Sequence, residues 1–266
     1  MKASVFNVDG EKVGEVELPP VFAEEVRLDL IKRAVLSEES FLYQPKGNYR
    51  WAGMETSADY IGRKEAYRSL KNRGQAMLPR EKLPKGRWGR VRRIPSAVGG
   101  RRAHPPKVEK NLRELINKKE YAKAFASALA ACAVPDFVNN RLRFEHDLAF
   151  PVVLEEQVLS LTKSKDVVSL LDKLGLSNEL DYVKERRKRL TGVRRLRRNK
   201  VFTQPKGLLF IVPSGEEFRA ARNVAGVDVV DVERLQVRHL APGTLPGRPV
   251  MFVGSALEEV VKKVVV

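Results

Sequence analysis

Leu208-Leu209-Phe210-Ile211-Val212, followed after Pro213 by Ser214-Gly215-Glu216-Glu217, is the stretch that decides the fold. Five successive apolar residues without alternation suit a strand covered on both faces, and Ser-x-x-Glu is the pattern of a capping box that opens a helix. The unit repeats downstream. Val227 to Val232 predicts a second strand, and Pro249 to Val253 a third, followed by Ser255-Ala256-Leu257-Glu258 and a helix from Ala256 to about Val264. Strands that alternate with capped helices imply right-handed crossovers. The expected fold class is therefore α/β, a mostly parallel sheet flanked by helices.

Working outward, Asp9-Gly10 between Val5, Val8, Val13 and Val16 predicts an N-terminal hairpin that Pro19-Pro20 ends. Val26, Leu30, Ile31, Ala34 and Val35 recur at helical spacing between Val21 and Tyr43, with Glu24 and Glu25 placed where the helix dipole favours acids. Further helices are expected over Asn111 to Ala133, Asp166 to Leu174 with Gly175 as its stop, and Ser177 to Leu190 with Ser177 as its cap; Val152 to Leu154 reads as a short strand. The small residues from Phe125 to Val134 suit a helix packed closely against a neighbour. Cys132 is the lone cysteine, so no internal disulfide or Cys-cluster zinc site is possible, and a reducing compartment fits. The N-terminal residues lack the apolar run of a signal peptide, and no stretch approaches the ~20 apolar residues that span a bilayer.

Between Pro45 and Pro106 the composition changes. Residues 46–110 hold 18 Lys/Arg against 5 Asp/Glu, and residues 184–200 hold 10 against 1. These two stretches carry +13 and +9, which leaves −5 on the remainder of a chain whose net charge is +17. A stretch so charged repels itself until a polyanion neutralises it. Residues 46–110 also hold eight Ile/Leu/Val against eight Gly and five Pro, too little apolar side chain to offset the entropy of fixing the backbone. The expected organisation is a globular body, residues 1–45 and 107–266, with an extended insertion at 46–106. A short helix is expected inside it, over Ser57 to Arg73.

The insertion mixes its charge with residues that nucleic-acid binding uses. Both tryptophans, Trp51 and Trp88, lie there with Tyr49, Tyr60 and Tyr67; aromatic and guanidinium planes stack on unpaired bases while cations meet phosphates. Arginine outnumbers lysine, which favours forked contacts, and Gly99 and Gly100 beside arginines allow close backbone approach. The residues expected at RNA are Arg50, Trp51, Arg63, Lys64, Arg68, Lys71, Arg73, Lys85, Arg87, Trp88, Arg90, Arg92, Arg93, Gly99, Gly100, Arg101, Arg102, His104 and Lys107. From the second run Arg187, Arg194, Arg195, Arg197 and Arg198 join them.

Catalytic chemistry finds no support. No G-x-G-x-x-G, P-loop, H-E-x-x-H or G-x-S-x-G occurs, and His104, His146 and His239 lack ligand spacing. Ser214 and Ser255 would sit where parallel sheets bind ligands, but helix capping accounts for both. His146 reads as a solvated or core histidine. No catalytic residue, metal, cofactor, membrane or small-molecule substrate is expected. The second reading is a nucleic-acid-modifying enzyme with a nucleotide-binding α/β domain, which a polar pocket at Ser214 and Ser255 would favour.

Arg73-Gly-Gln-Ala-Met-Leu-Pro-Arg80, Arg90-Val-Arg-Arg-Ile-Pro-Ser-Ala-Val98 and Gly99-Gly-Arg-Arg-Ala-His-Pro-Pro106 resemble the L-four family of large-subunit ribosomal proteins in its archaeal form. So do Ser127 to Ala131, Asp166 to Leu171, Ala221 to Asp228, Leu240 to Gly243 and Ser255 to Leu257, in order along nearly the whole chain. The resemblance implies a non-enzymatic constituent of the cytoplasmic large ribosomal subunit. Its long loop would thread 23S-type rRNA, beside neighbouring ribosomal proteins, and its tip would help line the nascent-peptide exit tunnel. Arg73, Gly74, Gln75, Met77 and Arg80 are the tip candidates it implies, with Gly99 to Pro106 on the return path.

Overall fold

The computed structural model describes residues 1–67, 69–144, 146, 148–198 and 201–265. They divide into two compact units, one made of Met1–Leu42 with Arg113–Val266 and the other of Tyr43–Leu112.

The first unit is built on six strands: β1 (Lys2–Phe6), β2 (Lys12–Glu17), β3 (Val152–Leu154), β6 (Leu209–Val212), β7 (Asp228–Asp231) and β8 (Val250–Val253). A separate pair, β4 (Lys188–Arg189) and β5 (Phe202–Thr203), stands outside them. The six strands of the sheet run in the order β2-β1-β3-β8-β6-β7, and every pairing within it is parallel except the β1–β2 hairpin. The helices are α1 (Leu28–Ser40), α2 (Lys118–Ala131), α3 (Pro135–Arg141), α4 (Ser164–Lys173), α5 (Ser177–Glu185), α6 (Gly192–Arg198), α7 (Arg219–Arg222), α8 (Val237–Leu240) and α9 (Ala256–Val265).

Successive strand side chains point to opposite faces, so a strand apolar at every position supplies two cores at once. Leu209, Ile211, Val250 and Phe252 pack with α1, α2, α8 and α9; Leu208, Phe210, Val212, Met251 and Val253 pack with α4, α5 and α7. Phe252 meets Phe22 edge-on at 6.1 Å on the first face, and Phe210 meets Phe218 at 5.7 Å on the second. Burying each such side chain contributes roughly 1.5–3 kcal/mol, so the double burial of β6 and β8 makes them the centre of the fold. Residues 124–131 of α2 are all buried, and small side chains let that helix lie close to its neighbours. Burial pushes the Cys132 thiol up to about 12.

Local expectations fail where tertiary partners take over the backbone. The first helix begins at Leu28, so Glu24 and Glu25 precede it and Asp29 is the acid of its first turn. Residues 111–117 are not helical. Ser214 opens no helix: its amide and hydroxyl both donate to Glu259 Oε2 at 2.9 Å, and α7 starts only at Arg219, without a side-chain cap. Ser177 does not cap α5, whose N-cap position is Leu176. Gly175 behaves as expected, at φ 75°, with its amide bonded to Asp172 and the Leu176 amide to Leu171.

Buried polar groups fix the loops of this unit. Arg248, 1 % exposed, donates to the carbonyls of Gly207, Leu208 and His239 and to Asp228 at 2.7–2.9 Å. Glu38 accepts the amides of Val237 and Arg238 and the Tyr121 hydroxyl, which satisfies the start of α8.

Candidate nucleic-acid interface

Tyr43–Leu112 folds with almost no core. Ala58, Ser69 and Glu81 are its only buried residues among those described, and its one helical element is a 3-10 turn at Lys85–Arg87. Backbone bridges join Asp59 to Arg80 and Arg80 to Val91, so three short segments lie side by side. This pairing explains why the expected helix over Ser57 to Arg73 is absent. Asp59 and Arg80 exchange both backbone hydrogen bonds, and the Leu70 amide bonds Ile61, which leaves no continuous i to i−4 ladder. Ser57 Oγ adds a tie, donating to the Leu83 carbonyl and accepting the amides of Lys82 and Leu83.

Two glycine positions are set by contacts inside this unit. A Cβ on Gly100 would fall on the Ile94 carbonyl oxygen, and one on Gly53, at φ 78°, would come within 2.6 Å of the Gly100 carbonyl. The close approach that Gly100 permits is therefore made first by the protein's own backbone. Gly99 is similarly crowded by the Arg92 guanidinium, which reaches the Val98 carbonyl.

Internal partners use up most of the few carboxylates. Glu109 pairs with Arg50, Asp59 with Lys82 at 3.1 Å, and Glu81 lies 3.7 Å from Arg92, while Glu55 accepts the Tyr49 hydroxyl. Cations remain in large excess. Arg50, Arg63, Lys64, Lys71, Arg73, Lys85, Arg87, Arg90, Arg93, Arg101, Arg102 and Lys107 are exposed, with Gly99 and His104; Arg92 and Gly100 are half-buried, and Arg68 lies outside the described residues. Trp51 and Trp88 are 57 % and 54 % exposed, and Tyr67 is 82 % exposed. Large aromatic surface in water is unfavourable unless another surface covers it, and here it is set among unneutralised cations.

Of the tip candidates, Arg73, Gly74, Gln75 and Met77 are all exposed, Arg73 and Gly74 in a turn with Gly74 at φ 67° and Gln75 and Met77 just after it. Arg80 is placed differently. Its guanidinium donates to the Gly89 carbonyl at 2.9 Å and the Ala76 carbonyl at 3.3 Å, inside the paired segments.

The second basic run belongs to the first unit and takes a form that spacing alone did not reveal. Helix α5 stops at Glu185; Lys188–Arg189 then pairs antiparallel with Phe202–Thr203, and α6 lies in the connection between them. Arg187 is exposed and stacks 4.2 Å from the Phe202 ring centroid. Arg194 and Arg195 are exposed on α6, whose residues also include Arg197 and Arg198. Val193 and Leu196 are exposed beside them, Leu196 by 82 %. Val201-Phe202-Thr203 directly after the run, a β-forming triplet, was the available signal for this arm.

At the carboxyl ends of β6 and β8, Ser214 lines a shallow depression of about 460 Å³ with Glu259, Lys262 and Lys263, and Ser255 is not part of its wall. Both hydroxyls donate to Glu259, and nearby Lys263 is held by the carbonyls of Val232, Glu233 and Leu235 at 2.7–2.9 Å. His146 is a buried histidine 3.6 Å from Glu179, which also accepts the amides of Arg143 and Phe144.

The chain is 43 % identical over 260 residues to the large ribosomal subunit protein uL4 of Methanocaldococcus jannaschii, covering 97 % of this chain and 98 % of the relative. The protein of the same name from Methanoculleus marisnigri is 45 % identical over 258 residues, covering 97 % of each, and that from Haloquadratum walsbyi 39 % over 261 residues, covering 98 % of this chain and 99 % of the relative. The model of the ribosomal protein L4/L1 family matches residues 16–263, a span that contains the whole basic insertion, and the chain belongs to that family.

Proposed function

We propose that this chain is a structural constituent of the large ribosomal subunit in the cytoplasm, and that residues 46–106 bind 23S-type rRNA as a loop whose tip lines the nascent-peptide exit tunnel. Membership in a family of ribosomal proteins supports a structural and not an enzymatic role. The observation that carries the RNA reading is the excess of exposed arginine and lysine in 43–112 over carboxylates already paired internally, with both tryptophans exposed among them. Cations of this density release counterions on meeting phosphates, and the aromatics stack on unpaired bases. The body is the globular part, 1–45 and 107–266, and neighbouring ribosomal proteins are its further partners.

The exposed stretch from Arg73 to Met77 is the best tip, since its side chains are exposed and Gly74 supplies the reversal. Arg187, Arg194, Arg195 and the rest of the α6 arm form a second rRNA contact. Sedimentation of cell extract tests the reading: the intact chain should travel with large-subunit particles. A chain lacking 46–106 that still joins those particles at full yield would assign assembly to the body instead.

A further inference from the structure

The second unit encloses a small cavity of about 100 Å³ between its paired segments. Its walls include Ser69, Arg80, Glu81, Trp88 and Gly89. Two wall groups are unusual. Glu81 is 5 % exposed, yet its Oε2 is buried without a hydrogen-bond partner, the Arg92 guanidinium standing off at 3.7 Å. Arg80 uses both terminal nitrogens on carbonyls, while its Nε is buried and also lacks a partner. A carboxylate only accepts and a guanidinium only donates, so an occupant must bring a donor to one and an acceptor to the other.

We propose that this cavity receives the edge of one unstacked guanine, an inference that rests on the RNA-binding reading of the same segment. The Watson–Crick edge of guanine carries two adjacent donors, N1–H and N2–H₂, next to the O6 acceptor. That edge therefore offers donors to Glu81 and one acceptor to the remaining N–H of Arg80 at once. The Trp88 indole, in the wall and half exposed, supplies an aromatic surface for the ring. Adenine and cytosine bring a single amino group, and uracil a single N–H, so each satisfies the carboxylate less completely. Arg73, also at this cavity, continues into the exposed turn, so the base would be gripped next to the proposed tip.

The test uses the full chain and uridine nonamers that differ only at the central base. Fluorescence anisotropy at fixed salt should show the central-guanine oligomer binding roughly 5- to 150-fold more tightly than the all-uridine one, the range of one good base contact. Adenine and cytosine should gain little. Glu81→Gln should bring the central-guanine and all-uridine oligomers to the same affinity as each other, whereas Arg101→Glu with Arg102→Glu should weaken every oligomer alike and keep the guanine preference. Equal binding of all four oligomers by the unaltered chain, with steep salt dependence, would overturn the guanine site and leave RNA binding standing. A preference for another base would overturn the guanine assignment. Failure of every oligomer to bind at low salt would overturn the RNA reading and the site together.

Discussion

Removing residues 46–106 should flatten the salt dependence of RNA binding by an amount that the structure bounds. Within 43–112, thirteen described Lys/Arg side chains are exposed and have no carboxylate partner: Lys46, Arg63, Lys64, Lys71, Arg73, Lys85, Arg87, Arg90, Arg93, Arg101, Arg102, Lys107 and Lys110. All but Lys107 and Lys110 lie in the deleted stretch. Each phosphate neutralised on single-stranded nucleic acid contributes about 0.7 to the slope of log affinity against log salt. If half of the deleted cations meet phosphates, the slope should fall in magnitude by about 4, and by about 8 if all do. The assay is titration of a fixed rRNA fragment at salt concentrations from about 50 to 200 mM, where six to ten contacts cost roughly 10³- to 10⁵-fold in affinity. The Arg101→Glu, Arg102→Glu double variant offers an internal scale, with a decrease of about 1.4 for two lost contacts. A deletion that left both affinity and slope unchanged would refute the assignment and move the binding surface to the α6 arm.

Arg248→Met should destabilise the body by about 3–5 kcal/mol, read from denaturant midpoints, because it strips three carbonyls of their donor at once and leaves half-buried Asp228 with Lys206 alone. His239 supplies a pH dependence: burial, with Arg238 and Arg248 nearby, lowers its folded pKa from 6.5 to about 4. The unfolded chain binds this proton more readily, so stability should be full above about pH 6.5 and fall as pH drops toward 4, by on the order of 1–3 kcal/mol. His239→Gln should lessen that loss in acid melting curves. At the proposed tip, Arg73→Ala should leave large-subunit yield intact while altering stalling on particular nascent peptides. Arg80→Ala should instead lower the yield, because it frees the Gly89 and Ala76 carbonyls inside the paired segments. Equal effects of the two on yield would contradict this division of roles.

The sequence by itself determined the three-layer body and the location of the cation-rich insertion. Both follow from composition that local context cannot reverse. Leu208 to Val212 is apolar at every position, so whichever way the strand turns it needs cover on both faces, and helices to either side supply it. The +13 charge of 46–110 has too few carboxylates to cancel within the chain, whatever its path. Ser214 shows where that legibility ended. Its Ser-x-x-Glu pattern fits a capping box, but Glu259, 45 residues away, offers both the amide and the hydroxyl a full carboxylate, and α7 begins later without a cap.

Only the tertiary structure decided that Arg80 is an internal brace, that Gly100 serves an approach of protein to protein, and that Lys188–Arg189 leaves a helical periodicity to pair with Phe202–Thr203. It also brought Glu81 and Arg80, each with one buried atom that lacks a hydrogen bond, into the wall of one cavity. Periodicity reports which face of an element is apolar; it carries no record of which distant carbonyl, carboxylate or strand edge will compete for a given donor. In a segment with three buried residues among those described, those polar competitions set the path, because the hydrophobic term that fixes the body is almost absent.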